Sequence, residues 1–380
     1  MTLEYVIPAG DRVAFLGCRR AWDLSARERG NHQAARVKLH VDPAAAFRQA
    51  FTVYYFPGMW DWQPAMVLRL VRMAYLDELT AQRERYLSEH GLKQLNSEQE
   101  QEWIRARDHG LALLERYFEW APTVDNLSPV LVGAEFDVQI PNPGEPDRSL
   151  VTPDGRAVHY RGQIDLLVID ESDGYWMVEH RMVHGPFPPT DLLRLSERCL
   201  SWCWAWEAFY PGMRIEGTVF NELRHDGPTP AGGPATPIQR GAVAQNRGAY
   251  LRPWGQPEPH PDEVGEVDLT AAVAVNGPFR RVVVPRARAE VAEFGTRIAG
   301  QVTEMITPGI HCHPTPSIAR CADCEFRTPC QTMNEGHDPT LMLASEYVHR
   351  SHEPTPGRLG SGTWSIGRGA APPKFGGLER

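Results

Sequence analysis

The sequence predicts an α/β protein in which a helical N-terminal region precedes a small mixed sheet. Apolar residues recur at helical spacing through the first 120 positions, and alternation of apolar with polar residues begins near position 130. A predicted hairpin follows, and after it come a strongly apolar helix and another strand. The central part of the chain is therefore expected to run strand, strand, strand, helix, strand.

Four helices are predicted before residue 121, each on a local signal. The first covers residues 11–28, and the second begins at the helix-cap pair Asp42-Pro43 and runs to residue 55. The third covers residues 64–79. The fourth begins with a capping box at Ser97–Glu100 and ends at Trp120. A strand is then predicted over residues 130–140, where the period changes from helical to alternating.

The hairpin predicted between Gly162 and Arg181 is the centre of the fold. Two apolar runs flank residues 170–174, whose Asp-Gly ending is typical of a hairpin turn. Such a hairpin brings Asp165 close to Glu179, and two carboxylates so placed can hold a divalent cation in a hydrolytic enzyme. The alternative is that both are ordinary polar positions on a half-exposed hairpin. A metal site is favoured because charges seldom lie in apolar strands without a partner.

The remainder of the chain alternates regular and irregular segments. A helix over residues 191–210 carries two cysteines that are expected to be core, and a strand over 214–223 follows it. Residues 224–267 are rich in Pro, Gly and Ala and predict a loop, or an arm that crosses the mouth of an active site. A short strand over 282–285, a helix over 287–306 and a flexible tail of about the last 25 residues complete the prediction.

Composition excludes several classes of protein. The net charge of -9 and the pI near 5.9 argue against a protein that coats nucleic acid with a generally basic surface, although a local basic channel remains compatible. No apolar segment approaches the roughly 20 residues that span a bilayer, and no signal-peptide core is present. We therefore expect a soluble, cytoplasmic protein. The odd number of cysteines, seven, fits poorly with a disulfide framework.

Three cysteines near the C-terminus predict a metal site. Cys321, Cys324 and Cys330 follow the spacing Cys-x2-Cys-x5-Cys, and thiolates in such a segment bind zinc or an iron–sulfur cluster. Either metal needs a fourth ligand. Cys312 would supply it locally and close a structural zinc site, whereas Cys18 would supply it from the other end of the sequence.

Together these motifs resemble the iron–sulfur, RecB-like branch of the PD-(D/E)XK nuclease superfamily, which includes AddB-type helicase–nuclease subunits, CRISPR-associated exonucleases and phage exonucleases. The resemblance rests on Gly162-x-x-Asp165, on Glu179-x-Arg181, and on an isolated Cys18 that precedes the C-terminal cysteine triplet. It covers roughly residues 10–332.

The resemblance implies a division of the chain around a restriction-endonuclease-like core. The expected regions are an N-terminal helical region (1–125), the nuclease core (126–225), a Pro/Gly-rich excursion (226–280), a helix with the Cys-rich iron–sulfur segment (281–335) and a flexible tail (336–380).

The resemblance also implies cofactors and partners. A 4Fe-4S cluster would be held by Cys18, Cys321, Cys324 and Cys330, which leaves Cys312 spare. Mg²⁺ or Mn²⁺ would be held by Asp165 and Glu179. The implied activity is that of a metal-dependent DNA exonuclease without membrane contact, and a helicase or recombination partner is compatible with it.

Three expected catalytic positions differ from the family pattern, and all three are arginine. Arg48 stands where the family carries His, Arg181 where it carries Lys, and Arg198 where it carries Gln. A guanidinium has no lone pair for a metal and does not release a proton near neutral pH. His32, His40 and His180 are alternative candidates for the missing His role.

The sequence is therefore compatible with two functions of a nuclease-like protein and with a third, unrelated one. In an active nuclease, Arg181 would stabilise the transition state while Arg48 and Arg198 contact substrate. In a degenerate nuclease, the same arginines would form an ion-pair cluster or a phosphate clamp that binds nucleic acid or a partner without cutting. The third alternative is a zinc-stabilised protein of unrelated function.

Overall fold

The computed structural model describes residues 4–35, 41–224 and 272–350, and in this part of the chain the fold is mixed α/β. The helices are α1 (Ala9–Gly17), α2 (Arg19–Ser25), α3 (Pro43–Tyr54), α4 (Pro64–Glu89), α5 (Ser97–Trp120), α6 (Thr190–Arg194), α7 (Glu197–Phe209), α8 (Arg288–Met305), α9 (Ile318–Ala322), α10 (Arg327–Asn334) and α11 (Thr340–Glu346). No helix among the described residues is both long and apolar enough to cross a membrane.

The strands form two sheets and two ribbons. They are β1 (Tyr5–Pro8), β2 (His32–Ala34), β3 (Ser128–Val132), β4 (Glu135–Gln139), β5 (Pro141–Asn142), β6 (Glu145–Ser149), β7 (Val158–Gln163), β8 (Leu166–Ile169), β9 (Tyr175–Val183), β10 (Ile215–Arg224), β11 (Ala272–Asn276), β12 (Phe279–Pro285) and β13 (Tyr347–His349). The six-stranded sheet has the order β11-β12-β10-β9-β8-β3, and the three-stranded sheet has the order β1-β7-β4. The ribbons are β13-β2 and β5-β6.

The central sheet is mixed because a helix connects two of its strands. β9 and β10 are parallel neighbours, and α7 lies between them in the chain. The other pairs of this sheet are antiparallel. A parallel connection of this kind needs a crossover, which a helix provides.

Two layers of apolar side chains cover the central sheet. On one face Leu166 and Val178 pack with residues of α3, α4 and α5. On the other face Leu167 and Met177 pack with residues of α7, α8 and the three-stranded sheet. Both faces of β8 and β9 are therefore buried, which explains why their sequence is a continuous apolar run rather than an alternating one.

The N-terminal helices agree with the prediction except at their ends, and α4 continues ten residues beyond the predicted end at residue 79. Asp42 caps α3 by accepting a hydrogen bond from the amide of Ala45 (3.1 Å). The capping box of α5 is formed by Asn96 and Gln99, one residue before the predicted one. The first predicted helix is divided at Cys18, whose backbone is extended (φ -160°), so that α1 and α2 are separate.

Two predicted strands are each divided between the two sheets. The strand expected over residues 130–140 is broken at Gly133, which has a φ of +57°, so β3 and β4 belong to different sheets. The first strand of the predicted hairpin is similarly divided, because Gly162 belongs to β7 and only Leu166–Ile169 form β8. The hairpin itself is confirmed, since β8 and β9 pair antiparallel across the turn.

The C-terminal half also follows the prediction in outline. The helix expected over residues 191–210 is divided into α6 and α7, while β10, β12 and α8 match the predicted strands and helix. The segment 336–350, which the sequence assigns to a tail, contains α11 and β13. The tail beyond residue 350 and residues 225–271 of the predicted excursion lie outside the described residues.

Candidate functional site

Asp165 and Glu179, here called the acidic pair, lie opposite each other on neighbouring strands. Leu166 pairs with Val178 in the antiparallel register of β8 and β9, so the preceding Asp165 faces Glu179 across the strands. Both side chains point toward α7, where Arg198 approaches each of them. The hairpin thus joins two carboxylates that are fourteen positions apart in the sequence.

Each acid of the pair has one oxygen held by a donor from the fold. Asp165 Oδ2 accepts a hydrogen bond from the backbone amide of His180 (2.9 Å), and Glu179 Oε2 accepts one from the thiol of Cys199 (3.0 Å). The other two oxygens face Arg198. Its Nη2 lies 3.8 Å from Asp165 Oδ1, and its Nε lies 3.6 Å from Glu179 Oε1.

Burial makes ionisation of this site costly. The side chains of Asp165 and Glu179 are 9% and 6% exposed. Desolvation and, to a smaller extent, the charge of Glu179 raise the pKa of Asp165, whereas Arg198, the His180 amide and Arg48 lower it, and the net pKa is about 6. Buried carboxyl groups with such a shift are typical of functional sites.

The three arginines at the expected catalytic positions have different surroundings. Only Arg198 contacts both acids. Arg48 lies 3.9 Å from Asp42 and is near enough to Asp165 for its charge to lower the pKa of that carboxyl. Arg181 is directed instead to Glu222, with Nη1 3.9 Å from Oε1.

Glu222 is a third buried carboxylate on this face, and the sequence analysis missed it. It lies on β10 beside Arg181, is fully buried, and accepts a hydrogen bond from Arg280 Nε (2.5 Å). Its Oε1 has no hydrogen-bond partner among the described residues. The signal that marks Glu179, a charge inside an apolar strand, is also present at Glu222, within the predicted strand 214–223.

The opposite face of β9 carries a buried polar network. Its members are Tyr55, Tyr117, Asp125, His180, Asn221 and Arg281. Asn221 Nδ2 donates to His180 Nδ1 (2.9 Å) and to Tyr117 Oη (2.8 Å), while Arg281 pairs with Asp125. This network joins α3, α5, β9, β10 and β12. It therefore fixes the position of β9, whose backbone amide at His180 donates a hydrogen bond to Asp165.

None of the candidate histidines in the described chain faces the acidic pair. The His180 ring lies in the buried polar network, where burial lowers its pKa to about 3, so only its backbone amide contributes to the site. The ring of His32 stacks on His349 in the β2–β13 ribbon, with centroids 4.7 Å apart. His40 lies outside the described residues.

The four predicted cluster cysteines lie together. Cys18 is at the junction of α1 and α2, Cys321 is in α9, Cys324 follows it, and Cys330 is in α10. The pKa of Cys324 is raised by burial and also by the charges of Cys18, Cys321 and Cys330, so these sulfurs are near it. All four are free thiols. The fold thus brings Cys18 to residues 321–330.

Three of these sulfurs accept hydrogen bonds from the surrounding chain. The amides of Thr315 and Ser317 donate to Cys18 (3.4 Å) and Cys321 (3.5 Å). Arg20 Nη1 donates to the sulfur of Cys330 (3.5 Å). Donors of this kind stabilise thiolates and tune a metal centre that thiolates hold.

Cys312, the spare cysteine of the prediction, has separate surroundings. Its sulfur accepts from Arg29 Nη2 (3.8 Å), and its thiol donates to the carbonyl of Ile310 (3.5 Å). Burial raises its pKa, and the next contributions come from Asp23 and Arg29 rather than from other cysteines.

No three cysteine sulfurs of the described chain lie within 4.8 Å of one another. Thiolates bind either zinc or an iron–sulfur cluster, so the chemistry of these cysteines suits both metals considered above.

Among the described residues, one group of three potential ligands has its ligand atoms within 4.8 Å of one another. It consists of Glu4, Asp137 and His159 beside the three-stranded sheet. Arg161 already bridges this group, because it donates to Asp137 (2.5 Å) and to Glu4 (2.6 Å). Half-exposed ion pairs therefore account for the arrangement.

Comparisons with known proteins do not identify a family. No protein-family model and no curated protein sequence matches the chain. A solved structure described as "Crystal structure of SSO0001" aligns over 65% of this chain and 79% of its own, with 12% identity and a TM-score of 0.26. An alignment at this TM-score gives no basis for assigning a fold or a function.

Proposed function

We propose that this protein is a metal-dependent DNA exonuclease of the RecB-like PD-(D/E)XK type, which hydrolyses phosphodiester bonds from a restriction-endonuclease-like core. The observation that carries the proposal is the arrangement of the acidic pair. Asp165 and Glu179 lie opposite each other on adjacent strand segments with side chains only 9% and 6% exposed, and each has one oxygen fixed by the fold and one that faces the guanidinium of Arg198 on α7.

The two directed oxygens suit a hard divalent cation. Asp165 Oδ1 and Glu179 Oε1 would hold Mg²⁺ or Mn²⁺, since carboxylate oxygens are the ligands that these ions prefer. When bound, such an ion supplies Lewis-acid activation of a phosphodiester and of the attacking water. The remaining coordination positions would be filled by water and substrate phosphate.

The residues around the pair would bind and orient the substrate. Arg198 and Arg48 place positive charge beside the acids, and guanidinium groups bind phosphate through paired hydrogen bonds. Arg181 lies on the same face of β9 as Glu179, but Glu222 shares its charge. We therefore assign the nearer phosphate contacts to Arg198 and Arg48, and a weaker stabilising role to Arg181.

We also propose a 4Fe-4S cluster on Cys18, Cys321, Cys324 and Cys330. The proposal is supported by the proximity of the four sulfurs and by the donors directed at three of them. Its role would be structural, because it would join the α1–α2 junction to α9 and α10.

A digestion assay on the full chain tests the nuclease. Fluorescent single-stranded and double-stranded DNA is incubated with the protein and Mn²⁺. Wild type is expected to shorten the DNA, and Asp165→Ala or Glu179→Ala to abolish the activity. Glu171→Ala is the matched control, because this carboxylate is exposed in the turn of the same hairpin. Loss of activity in the control, or full activity in Glu179→Ala, would contradict the proposal.

Absorbance of the anaerobically purified protein tests the cluster. We expect a brown protein with a broad visible band that reductant bleaches. Cys18→Ser is expected to lose the colour, whereas Cys312→Ser, which removes the thiol outside the group, keeps it. A colourless wild type that carries one zinc ion per chain would refute the cluster.

A second candidate function is DNA binding without hydrolysis. It is favoured by one observation, that Arg198 faces the two oxygens a cation would need. In that case we expect wild type to bind DNA without cutting it in the presence of Mg²⁺ or Mn²⁺. We expect cutting to appear in Arg181→Lys, which introduces the lysine found at this position in the RecB-like family.

A further inference from the structure

Arg198 is held loosely between the acidic pair. Its two ion-pair distances, 3.6 and 3.8 Å, exceed the range of about 2.7–3.2 Å for N–H···O hydrogen bonds. Its side chain is 48% exposed, and the guanidinium lies over the ring of Trp202, 4.7 Å from the centroid. The guanidinium therefore has both weak tethers and an open path to solvent.

Other arginines near the central sheet are held much more firmly. Arg280 is buried and donates to Glu222 at 2.5 Å. Arg281 is buried, pairs with Asp125, and donates to Tyr55 at 3.0 Å. Arg198 differs from both in exposure and in hydrogen bonding. Arg48 and Arg181 are also loosely paired, but their ion pairs are with Asp42 and Glu222, so Arg198 is the mobile cation that faces both acids.

A divalent ion and the Arg198 guanidinium need the same two oxygens. The other oxygens of Asp165 and Glu179 are occupied by the His180 amide and the Cys199 thiol. Both cations cannot approach Oδ1 and Oε1 at once, because like charges at this separation repel each other strongly in a buried site. Occupation by one must therefore disfavour occupation by the other.

We propose that Arg198 is a displaceable cation that offsets part of the negative charge of the acidic pair until a divalent ion takes its place, and that the released guanidinium then binds a substrate phosphate. The inference rests on the proposed metal-dependent site and deepens it. Metal binding and phosphate binding are coupled through one side chain, since the ion frees the group that contacts the substrate.

Mn²⁺ binding to the full-length protein tests the displacement. Free Mn²⁺ is measured by electron paramagnetic resonance at pH 8. Arg198→Gln removes the competitor, so we expect Mn²⁺ to bind roughly tenfold more tightly or better. Arg198→Lys keeps a cation and is expected to fall between wild type and Arg198→Gln.

Arg297→Gln is the matched control for this experiment. Arg297 is 50% exposed and forms an ion pair of 3.6 Å with Glu197, so it resembles Arg198 in exposure and in the length of its ion pair. Its removal is expected to leave Mn²⁺ affinity within about twofold of wild type, because Arg297 pairs with Glu197 rather than with either acid of the pair and its exposed charge is screened by solvent. Circular dichroism confirms that each variant is folded.

The outcomes separate this inference from the proposed function. If Glu179→Ala loses Mn²⁺ binding but Arg198→Gln binds as wild type does or more weakly, the metal site stands and the displacement is refuted. If Arg297→Gln tightens binding as much as Arg198→Gln, general electrostatics explain the gain and the displacement is again refuted. If neither wild type nor Arg198→Gln binds Mn²⁺, both proposals fall.

DNA affinity tests the second half of the inference. Binding of single-stranded DNA is measured with and without Ca²⁺, an ion that binds oxygen ligands and would occupy the acidic pair. Because Arg198 is available to phosphate only when an ion holds the acids, Arg198→Gln should weaken DNA binding several-fold more with Ca²⁺ than without it. An equal loss under both conditions would refute the coupling.

Discussion

At the scale of single residues, Asp165 shows how the fold makes one ionisation unfavourable. Burial raises its pKa to about 6, from 3.8 for the free side chain, although Arg198 and the His180 amide oppose the shift. A carboxyl whose pKa is raised by folding binds its proton more tightly in the folded chain. The free-energy cost of ionising Asp165 in the folded chain is therefore absent below about pH 4, develops between about pH 4 and 6, and is fully present above pH 6.

Replacement of Asp165 by Asn should stabilise the metal-free protein at neutral pH. The amide keeps an oxygen for the His180 amide but carries no charge to desolvate, so we expect a gain of about 1–3 kcal/mol in the free energy of unfolding at pH 7.5. The gain should vanish near pH 4. Urea unfolding in EDTA measures it, with Glu171→Gln as the exposed control, and a less stable Asn variant at pH 7.5 would contradict the assignment.

Cys199 should act as the hydrogen-bond donor that orients Glu179. Removal of the thiol in Cys199→Ala leaves the buried Oε2 of Glu179 without this donor, for a loss of about 1–3 kcal/mol in the free energy of unfolding. Cys199→Ser keeps a donor, so it should be more stable than the Ala variant. Equal unfolding free energies for the two variants would show that the hydrogen bond contributes nothing.

At the scale of secondary-structure elements, the contact between α7 and α8 sets the position of Arg198 and Cys199. Gly295 of α8 lies against the Trp204 ring of α7, and a Cβ added there would be 2.1 Å from Nε1 and 2.4 Å from Cδ1. Gly300 lies in the same helix and faces open space. A single helix thus contains one glycine that packing requires and one that it does not.

Alanine at these two glycines should have opposite effects on stability. Gly295→Ala forces Trp204 or α8 to move, which typically costs about 1–3 kcal/mol. Gly300→Ala should add about 0.5–1 kcal/mol, because alanine favours a helix without meeting a neighbour. Thermal unfolding of both variants measures the difference. A stabilised Gly295→Ala would show that the two helices separate easily.

How far the elements could be predicted depends on how local their signals are. The β8–β9 hairpin is encoded by its turn and its flanking apolar runs, and α3 by the Asp42 cap, so both were predictable. The division of β3 from β4 could not be predicted, because Gly133 fits the alternating pattern of a single strand. The break at Gly133 depends on the pairing of β3 and β4 in two different sheets.

The residues of the candidate site were likewise predictable only where a local sequence signal joins them. Asp165 and Glu179 were found because one hairpin joins them. Glu222 was missed because its position beside Arg181 depends on the pairing of β9 with β10 across a whole helix. The different directions of Arg48, Arg181 and Arg198 likewise depend on three separate elements, and sequence spacing carries no information about them.

At the scale of the whole molecule, distant segments of the chain close on each other around the cysteines. α2 carries Arg20, which donates to Cys330 and to Asn334 Oδ1 (2.5 Å). β2 pairs with β13, and the ring of Tyr347 stacks on Phe326 with centroids 5.5 Å apart. An apolar cluster of Leu24, Phe326 and Tyr347 packs beside Cys324.

Loss of the Tyr347 ring should therefore expose the proposed iron–sulfur cluster. Tyr347→Ala removes the stacking on Phe326 and the hydrogen bond to the carbonyl of Glu325 (2.6 Å), so iron should be released to a chelator several-fold faster. Val348→Ala alters an exposed neighbour on the same strand and should release iron at the wild-type rate. Equal rates in the two variants would show that β13 does not protect the cluster.

The pairing of β2 with β13 has a consequence for biosynthesis. Ribosomes deliver His32 more than three hundred positions before His349, yet these residues face each other in the finished ribbon. β2 must therefore wait for β13 to be synthesised, and a nascent polypeptide arrested before position 347 leaves β2 unpaired and open to chaperones.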